Sequence, residues 1–393
     1  MVKKKRTIHL YKYQDQAIYE EQNVKVVHYE LITRRQLQEL DKSDAMVVIP
    51  VGLMEVHGWF LPLGTDYIES IGWGNHLVPD VLKNRRPDKE YTIVLFPPVP
   101  IGTGGIRGMK GTVNTGRKEF RKVMMDIVDG LVYAGFRRFF LTTAHHGNTH
   151  GTCLEEVVHK GMKKYRSLDV RIASPVNHFV QRAFVSTDKS YWDNIAADAG
   201  VDPLTDEDYR AIRNDHHSSL MEIGFIKEIN EHWVDPEYKD SDLHLEGVDH
   251  SIKSLIAKRW SHLGGIDGCG YNGDPSKSDE RDWFALYNEV IRQLSVEMID
   301  ALYDEDPKNF KPYLSSFQWK LKLLKTDLKW WFITPLLLFL FILPWILLAL
   351  PSNLREMITF WSVIALIGGY ILGTALFVAY NIRQIKALKQ ESH

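Results

Sequence analysis

The spacing of apolar and polar residues divides the chain into a long mixed part and a short apolar part. In residues 1–329, short apolar runs alternate with stretches of helical spacing, whereas residues 330–380 consist almost entirely of two runs without charge. Apolar runs that alternate with helical stretches are typical of a parallel β-sheet covered by helices on both faces. The predicted fold class is therefore α/β, with three layers (α/β/α) and a mainly parallel sheet, followed by a C-terminal transmembrane helical hairpin.

Four apolar runs have the length and composition of buried strands, namely residues 45–51, 91–96, 138–143 and 170–173. Helical spacing of apolar residues predicts helices over residues 117–133, 153–165 and 282–303. Two polar stretches, residues 183–214 and 226–262, are expected to be irregular insertions around this core. Since ligands bind beyond the carboxyl ends of parallel strands, a site is expected at that edge of the sheet.

The two uncharged runs, residues 330–350 and 357–380, are each long enough to cross a bilayer, because about 20 helical residues span its hydrocarbon core. The short connection between them predicts an antiparallel hairpin. Lysines and arginines flank the pair on both sides, so the positive-inside rule places the main domain and the C-terminus in the cytoplasm. The alternative is a pair of buried core helices. We expect a multi-pass membrane protein with the lipid bilayer as a partner.

Composition narrows the possible functions. The net charge of −2 leaves no excess of basic residues to neutralise phosphates, so no nucleic-acid partner is expected. Two cysteines are too few for a disulfide framework, and the basic N-terminus is not followed by the apolar run of a secretory signal. The chain is divided into an N-terminal extension (1–28), a main domain (29–303), a basic juxtamembrane linker (304–329), two transmembrane helices (330–381) and a tail (382–393).

Residues of the metal-ligand type follow two of the predicted strands. Glu55 and His57 come after the first strand, Asp66 follows nine residues later, and His145 comes directly after the third strand. Farther along, the segment from Asp215 to Glu222 contains two carboxylates and two imidazoles. Carboxylate and imidazole together suit zinc and manganese. Because a carboxylate has two oxygens, Asp66 can bridge two ions, and two ions together can activate water and polarise a carbonyl.

These residues lie in segments that resemble the motifs of the creatininase family of amidohydrolases. The resemblance covers roughly residues 29–302 and is carried by 49–58 (IPVGLMEVHG), 61–66 (LPLGTD), 145–148 (HHGN), 215–222 (DHHSSLME) and 273–275. The pair Gly111-Thr112 resembles the family's Pro-Gly-Thr loop, with Lys110 in place of Pro. The membrane hairpin lies outside the resemblance.

The resemblance implies a site with two divalent metal ions per subunit, zinc or manganese, with iron as an alternative. Glu55, Asp66 and His145 would hold one ion. His57, Asp66 and a further carboxylate would hold the second. Creatininase supplies that carboxylate at the position of Gly147, so Glu222 would replace it here. The resemblance also implies a homo-oligomer, a hexamer in this family.

The expected catalytic residues are His217, as a proton shuttle or oxyanion stabiliser, and Glu222, as a second group that transfers protons. Five residues are expected to contact the substrate or support its pocket: His146, Gly111, Thr112, Asp215 and Arg107. Alternatives remain for three of them. His146 could replace His145 as a ligand, Asp215 could orient His217 or cap a helix, and Arg107 could bind an anionic group or be an exposed charge.

The resulting hypothesis is a membrane-anchored, metal-dependent amidohydrolase that cleaves a C–N amide bond of a small molecule, such as a cyclic amide, a formamide or a peptide-like compound. Pocket residues depart from the family pattern, so a substrate other than creatinine is expected. Two alternatives stay open. The first is a receptor or effector that binds a ligand without turnover and signals through the hairpin. The second is metal-dependent hydrolysis of a phosphoester.

Overall fold

The computed structural model describes residues 16–85, 87–106, 109–185, 188–243 and 269–304. The predicted linker beyond Asp304, the hairpin and the tail lie outside these residues, and so does Arg107. Within the described ranges, no helix combines the length and the apolar character needed to cross a membrane.

Six strands form one sheet in the order β1-β2-β4-β3-β5-β6. Their bounds are β1 Ile18–Glu21, β2 Val24–His28, β3 Met46–Pro50, β4 Tyr91–Leu95, β5 Arg138–Thr142 and β6 Arg171–Ala173. Strand β1 is antiparallel to β2, and the other neighbouring pairs are parallel. The prediction of an α/β fold with a mainly parallel sheet is confirmed.

Alternate residues of the central strand β3 enter different cores. Met46 and Val48 pack into the core on one face of the sheet, whereas Val47 and Ile49 pack into the core on the other face. Successive side chains of a strand point to opposite faces, so a strand covered on both sides must be apolar throughout. This explains why β3 appears in the sequence as a continuous apolar run.

Ten helices accompany the sheet in the described part of the chain. Their bounds are α1 Arg34–Glu39, α2 Thr65–Gly72, α3 Val78–Arg85, α4 Arg117–Tyr133, α5 Asn148–Lys164, α6 Val176–Phe179, α7 Lys189–Ala199, α8 Asp206–Asn214, α9 Leu220–Asn230 and α10 Trp283–Tyr303. Helices α4 and α5 cover one face of the sheet, and α3, α7 and α10 contribute to the core on the other face. Shorter turns are π-helical at Trp73–Leu77 and Val180–Val185, and 3-10 at Arg166–Leu168, Glu231–Trp233, Pro236–Asp240 and Pro275–Asp279.

The four predicted strands and three predicted helices are all present. Strands β1 and β2 were not predicted, and they lie within residues 16–28 of the segment that we assigned to an N-terminal extension. The expectation of irregular structure was wrong for α7 and α8, which occupy much of residues 183–214, and for α9 up to Asn230. Helix α8 begins with a capping box at Thr205 and Asp208, which the polar composition of that stretch obscured.

Candidate metal centre

Neighbouring strands bring the first ligand candidates together. Strands β3 and β5 run parallel and side by side, with Pro50 paired to Thr142 at their carboxyl ends. Glu55 and His57 lie in the segment after β3, and His145 lies just after β5. Because the ends of parallel neighbours meet at one edge, these three side chains converge there. Asp66 comes from the first turn of α2, and Glu222 comes from the first turn of α9.

The first group consists of Glu55, Asp66 and His145. The Nδ1 atom of His145 lies 3.1 Å from Oε2 of Glu55 and 3.1 Å from Oδ2 of Asp66. All three side chains are buried. The facing atoms lie within 4.8 Å of one another, which is close enough for one ion to bind all three.

The second group consists of His57, Asp66 and Glu222. The Nε2 atom of His57 lies 3.4 Å from Oδ1 of Asp66 and 3.7 Å from Oε1 of Glu222. Asp66 therefore presents one oxygen to each group. Two sets of three ligand-type residues that share one carboxylate form the arrangement expected of a site for two adjacent ions.

Main-chain groups orient the side chains of both sets. Nδ1 of His57 lies 3.0 Å from the carbonyl oxygen of Glu55. Since a carbonyl can only accept, Nδ1 carries a proton, and Nε2 is the nitrogen that faces the carboxylates. The amide of Ile106 donates to Oε1 of Glu55, and the amide of Ser218 donates to Oε2 of Glu222. The geometry leaves His57 Nε2 suited to bind a cation.

The electrostatics of the cluster also favour cations. Burial alone would lower the pKa of both histidines, but the facing carboxylates overcome it. Asp66 and Glu222 hold the pKa of His57 well above its ordinary value, and Asp66 and Glu55 raise that of His145 to about 10. Within the described ranges, His57 Nε2, Glu55 Oε2 and Asp66 Oδ2 are buried without an aligned hydrogen bond. Buried carboxylates need compensating charge, and these residues therefore fit divalent metal ions.

His217 lies beside this cluster and is half-buried. Its ring centroid is 4.3 Å from that of His57, and its Nε2 lies 2.8 Å from the carbonyl oxygen of Val56. Nε2 therefore donates to that carbonyl, and Nδ1 is left able to accept a proton. His217, predicted as a catalytic residue, thus lies beside His57 of the second group.

Asp215 caps a helix. Its carboxylate accepts hydrogen bonds from the amides of Leu220 and Met221, 3.0 and 3.1 Å away, at the start of α9. Burial raises the pKa of Asp215 to about 7. Of the two alternatives for this residue, the contacts correspond to the helix cap. By holding α9, Asp215 supports the helix that carries Glu222.

The remaining pocket candidates support the site in different ways. Thr112 accepts a hydrogen bond from the amide of Val56, 3.1 Å away, and so braces the segment between Glu55 and His57. Gly111 has a φ of +108°, and a Cβ there would lie 2.9 Å from the side chain of Leu63. The ring of His146 stacks on Phe179, with centroids 4.5 Å apart. His145, not His146, is the histidine that faces the carboxylates of the cluster.

A side chain at Gly147, where the resemblance implies a carboxylate ligand in creatininase, would collide with its neighbours. A Cβ on Gly147 would lie 2.5 Å from Nε2 of His145 and 3.1 Å from the carbonyl oxygen of Gly104. Glu222 instead faces His57 and Asp66 from α9.

Two buried residues near the cluster were not among the predicted site residues. Glu69 lies on α2 three residues after Asp66, where spacing on a helix could have revealed it. Burial and the neighbouring Glu222 and Asp66 hold the pKa of Glu69 well above its ordinary value. His150 lies on α5, fully buried, with its ring centroid 5.0 Å from that of His145.

The fold and the cluster define an α/β protein with a candidate two-metal centre at the carboxyl edge of its sheet. The family model described as Creatininase, creatinine amidohydrolase, matches residues 30–298. The chain belongs to this family, and the predicted resemblance is confirmed. Metal-dependent amidohydrolases make up the family. A comparison with curated proteins gives no match.

Several solved structures are similar in fold. A Bacteroides fragilis protein described as a candidate creatinine amidohydrolase is 19% identical with a TM-score of 0.46, over 71% of this chain and 98% of that chain. A creatininase described as a manganese form is 15% identical with a TM-score of 0.45, over 73% of this chain and 100% of that chain. A mutant creatininase described as a Zn–Zn type is 14% identical with a TM-score of 0.46, over the same shares.

Proposed function

We propose that this protein is a metal-dependent amidohydrolase that cleaves a C–N amide bond of a small molecule, and that it uses two divalent ions, zinc or manganese. The observation that carries the proposal is the pair of buried three-residue groups that share Asp66, found in a member of the creatininase family. Relatives described as manganese and zinc forms support this choice of metal.

Glu55, Asp66 and His145 would hold one ion, and His57, Asp66 and Glu222 the other. Such ions supply an activated water and polarise a carbonyl group. His217 Nδ1 would accept the proton that the attacking water loses, because its Nε2 already donates to the carbonyl oxygen of Val56. The proton can then pass to the leaving nitrogen. The hydrogen bond to Val56 keeps the ring in one orientation through both transfers.

The substrate we propose is an amide other than creatinine, either cyclic or linear. Support comes from the sequence of the pocket, where Trp59 follows the Glu-x-His-Gly motif and Ile106 begins a pair that replaces the family's Glu-His. Trp59 lies two residues after His57 in the chain and is 71% exposed, so its side chain is available to a ligand. Four of the ligand-type residues, Glu55, His57, Asp66 and His145, keep the family pattern.

The direct test measures bound zinc and manganese in the purified full-length protein and in His57→Ala. His232→Ala is the matched control, since His232 is an exposed histidine outside the cluster. We expect two ions in the wild type and in the control, and fewer in His57→Ala. A wild type without stoichiometric metal would refute the proposal.

Turnover is tested on lactams, formamides, short peptides and phosphoesters with the metal-loaded protein. Release of an amine or ammonia from an amide supports the proposal. Exclusive cleavage of phosphoesters, or a ligand that binds with metal and is recovered unchanged, would overturn it in favour of the phosphoesterase or the receptor alternative.

We also propose, from the sequence alone, that residues 330–350 and 357–380 anchor the protein in a membrane with the enzyme domain and C-terminus in the cytoplasm. The full chain should stay in the membrane pellet in alkaline carbonate and be released by detergent. Release by carbonate would contradict the anchor. A homo-oligomer is proposed from the family resemblance, and a monomeric mass in detergent would contradict it.

A further inference from the structure

His150 occupies a fully buried position directly behind the first group of ligand candidates. Its ring stacks on Phe120 of α4 with centroids 4.7 Å apart. Its two nitrogens face different parts of the chain: Nδ1 lies 3.4 Å from the amide of Thr103, and Nε2 lies 3.3 Å from Oγ1 of Thr143. The side chain therefore joins helix α5 to a glycine-rich loop and to the end of β5.

The hydrogen-bond partners determine which nitrogen of His150 carries the proton. A main-chain amide can only donate, so Nδ1 must accept from Thr103. Nε2 then carries the hydrogen and donates it to Oγ1 of Thr143. That oxygen also accepts from the amide of His145, 3.2 Å away. The hydroxyl of Thr143 thus connects the buried ring of His150 to the main-chain amide of His145 through two hydrogen bonds.

The second contact of His150 leads to Glu55. The loop that begins at Gly102 lies against the ring, since a Cβ on Gly102 would be 3.0 Å from Nδ1 of His150. Farther along the same loop, the amide of Ile106 donates to Oε1 of Glu55. The contact with Thr103 therefore fixes the loop whose amide orients Glu55.

We propose that His150 is a positioning residue that holds Glu55 and His145 in place for one of the two metal ions and has no part in holding the other. The proposal rests on the proposed function, since it requires that the cluster binds two ions. The second group is oriented by contacts that do not involve the Glu55 side chain. The main-chain carbonyl of Glu55 orients His57, and the amide of Ser218 orients Glu222. Loss of outer hydrogen-bond partners typically weakens metal binding about 10- to 100-fold.

The test titrates zinc or manganese into the metal-stripped, full-length protein in detergent and resolves the two binding steps by calorimetry. His150→Phe keeps the stacking volume and removes both hydrogen bonds. We expect about 10- to 100-fold weaker binding of one ion, and the other unchanged within about twofold. His150→Gln keeps a donor for Thr143, and His150→Asn keeps an acceptor for Thr103. Each should restore part of the loss.

A matched pair at Thr143 separates positioning from packing. Thr143→Val keeps the shape and removes the hydroxyl, whereas Thr143→Ser keeps the hydroxyl. We expect Thr143→Val to weaken binding of the same ion as His150→Phe, and Thr143→Ser to have a smaller effect. In the double variant of His150→Phe and Thr143→Val the two losses of affinity should not add, because both remove the same hydrogen-bond connection to His145. Thermal unfolding of the metal-free variants checks that each is folded, and the Thr143 pair decides the matter if His150→Phe is not.

The outcomes distinguish the two proposals. If the wild type takes up no ion, the proposed function fails and the role of His150 fails with it. If the wild type takes up two ions and the His150 and Thr143 variants do so with unchanged affinity, only the role of His150 fails. Equal weakening of both ions without rescue by Gln or Asn would also overturn it, since that result indicates general packing.

Discussion

The substitution Gly147→Ala adds one methyl group next to the proposed ligand His145. The backbone of Gly147 has φ of −52° and ψ of 124°, which alanine adopts without strain. Any effect must therefore come from the added carbon. That carbon would lie 2.5 Å from Nε2 and 3.0 Å from Cε1 of His145.

The size of the clash gives the size of the expected effect. Comfortable contact between such atoms needs about 3.5 Å, so the imidazole must move by roughly 1 Å. A displacement of about 1 Å at a reacting centre can lower a rate about 100-fold. This corresponds to about 2.7 kcal/mol of lost transition-state stabilisation. We expect weaker binding of one of the two ions and a fall in turnover of about 100-fold.

Gly130→Ala is the matched control. Gly130 lies within α4, and a Cβ there meets nothing within 4 Å. Alanine in a helix interior is favoured over glycine by roughly 0.5–1 kcal/mol, so this variant should be as stable as the wild type or more stable. Metal content after dialysis, calorimetric titration and thermal unfolding compare the two. Wild-type binding of both ions by Gly147→Ala would refute the reasoning.

Three further predictions test other parts of the structure. Glu222→Gln should retain one ion and lose the other, as measured by metal content, and an unchanged stoichiometry would contradict the second group. Burial would raise the pKa of Asp208, but hydrogen bonds from Thr205 and Arg281 hold this pKa below its ordinary value. The ionised carboxylate therefore stabilises the folded protein above about pH 4, and this stabilisation is lost as the pH falls through the pKa that Asp208 has in the folded state. Asp208→Asn should therefore lower the free energy of unfolding by about 1–3 kcal/mol at neutral pH and by less in acid, in urea titrations with the exposed Asp240→Asn as control. Ser218 has a φ of +52°, a backbone conformation that glycine adopts readily and valine does not. Ser218→Gly should therefore melt near or above the wild-type temperature, whereas Ser218→Val should lower the free energy of unfolding by about 1–3 kcal/mol. Equal melting temperatures of the two variants would contradict this prediction.

The convergence of the main ligand candidates could be predicted because it follows from topology. Glu55 and His145 each come shortly after an apolar strand, and the ends of neighbouring parallel strands meet at one edge. The contribution of α9 could not be predicted in the same way. Glu222 reaches the cluster because Asp215 caps α9 and the amide of Ser218 donates a hydrogen bond to the Glu222 carboxylate. The spacing of apolar residues predicts neither contact.

Strands β1 and β2 and the contacts of His150 could not be predicted, because their sequence patterns are short or involve residues far apart in the chain. Strands β1 and β2 are four and five residues long, and β1 contains two glutamates, so its apolar pattern is weak. His150 has partners that are close in space and belong to other elements, Thr103 and Phe120. The sequence marks His150 as a loop residue or a support for the ligands, but its contacts are identified only once the fold places the glycine-rich loop against α5.

The charge of the ligand-type residues bears on both the metals and the reaction. Glu55, Asp66 and Glu222 contribute three buried carboxylates to the two groups. Two divalent ions would compensate the three negative charges and leave one positive charge in excess. A single divalent ion would leave the cluster negative. Hydrolysis of an amide develops negative charge on the carbonyl oxygen, and a buried surplus of positive charge stabilises it. The proposed reaction therefore requires both ions, and a variant that keeps one should bind metal and yet lose most of its activity.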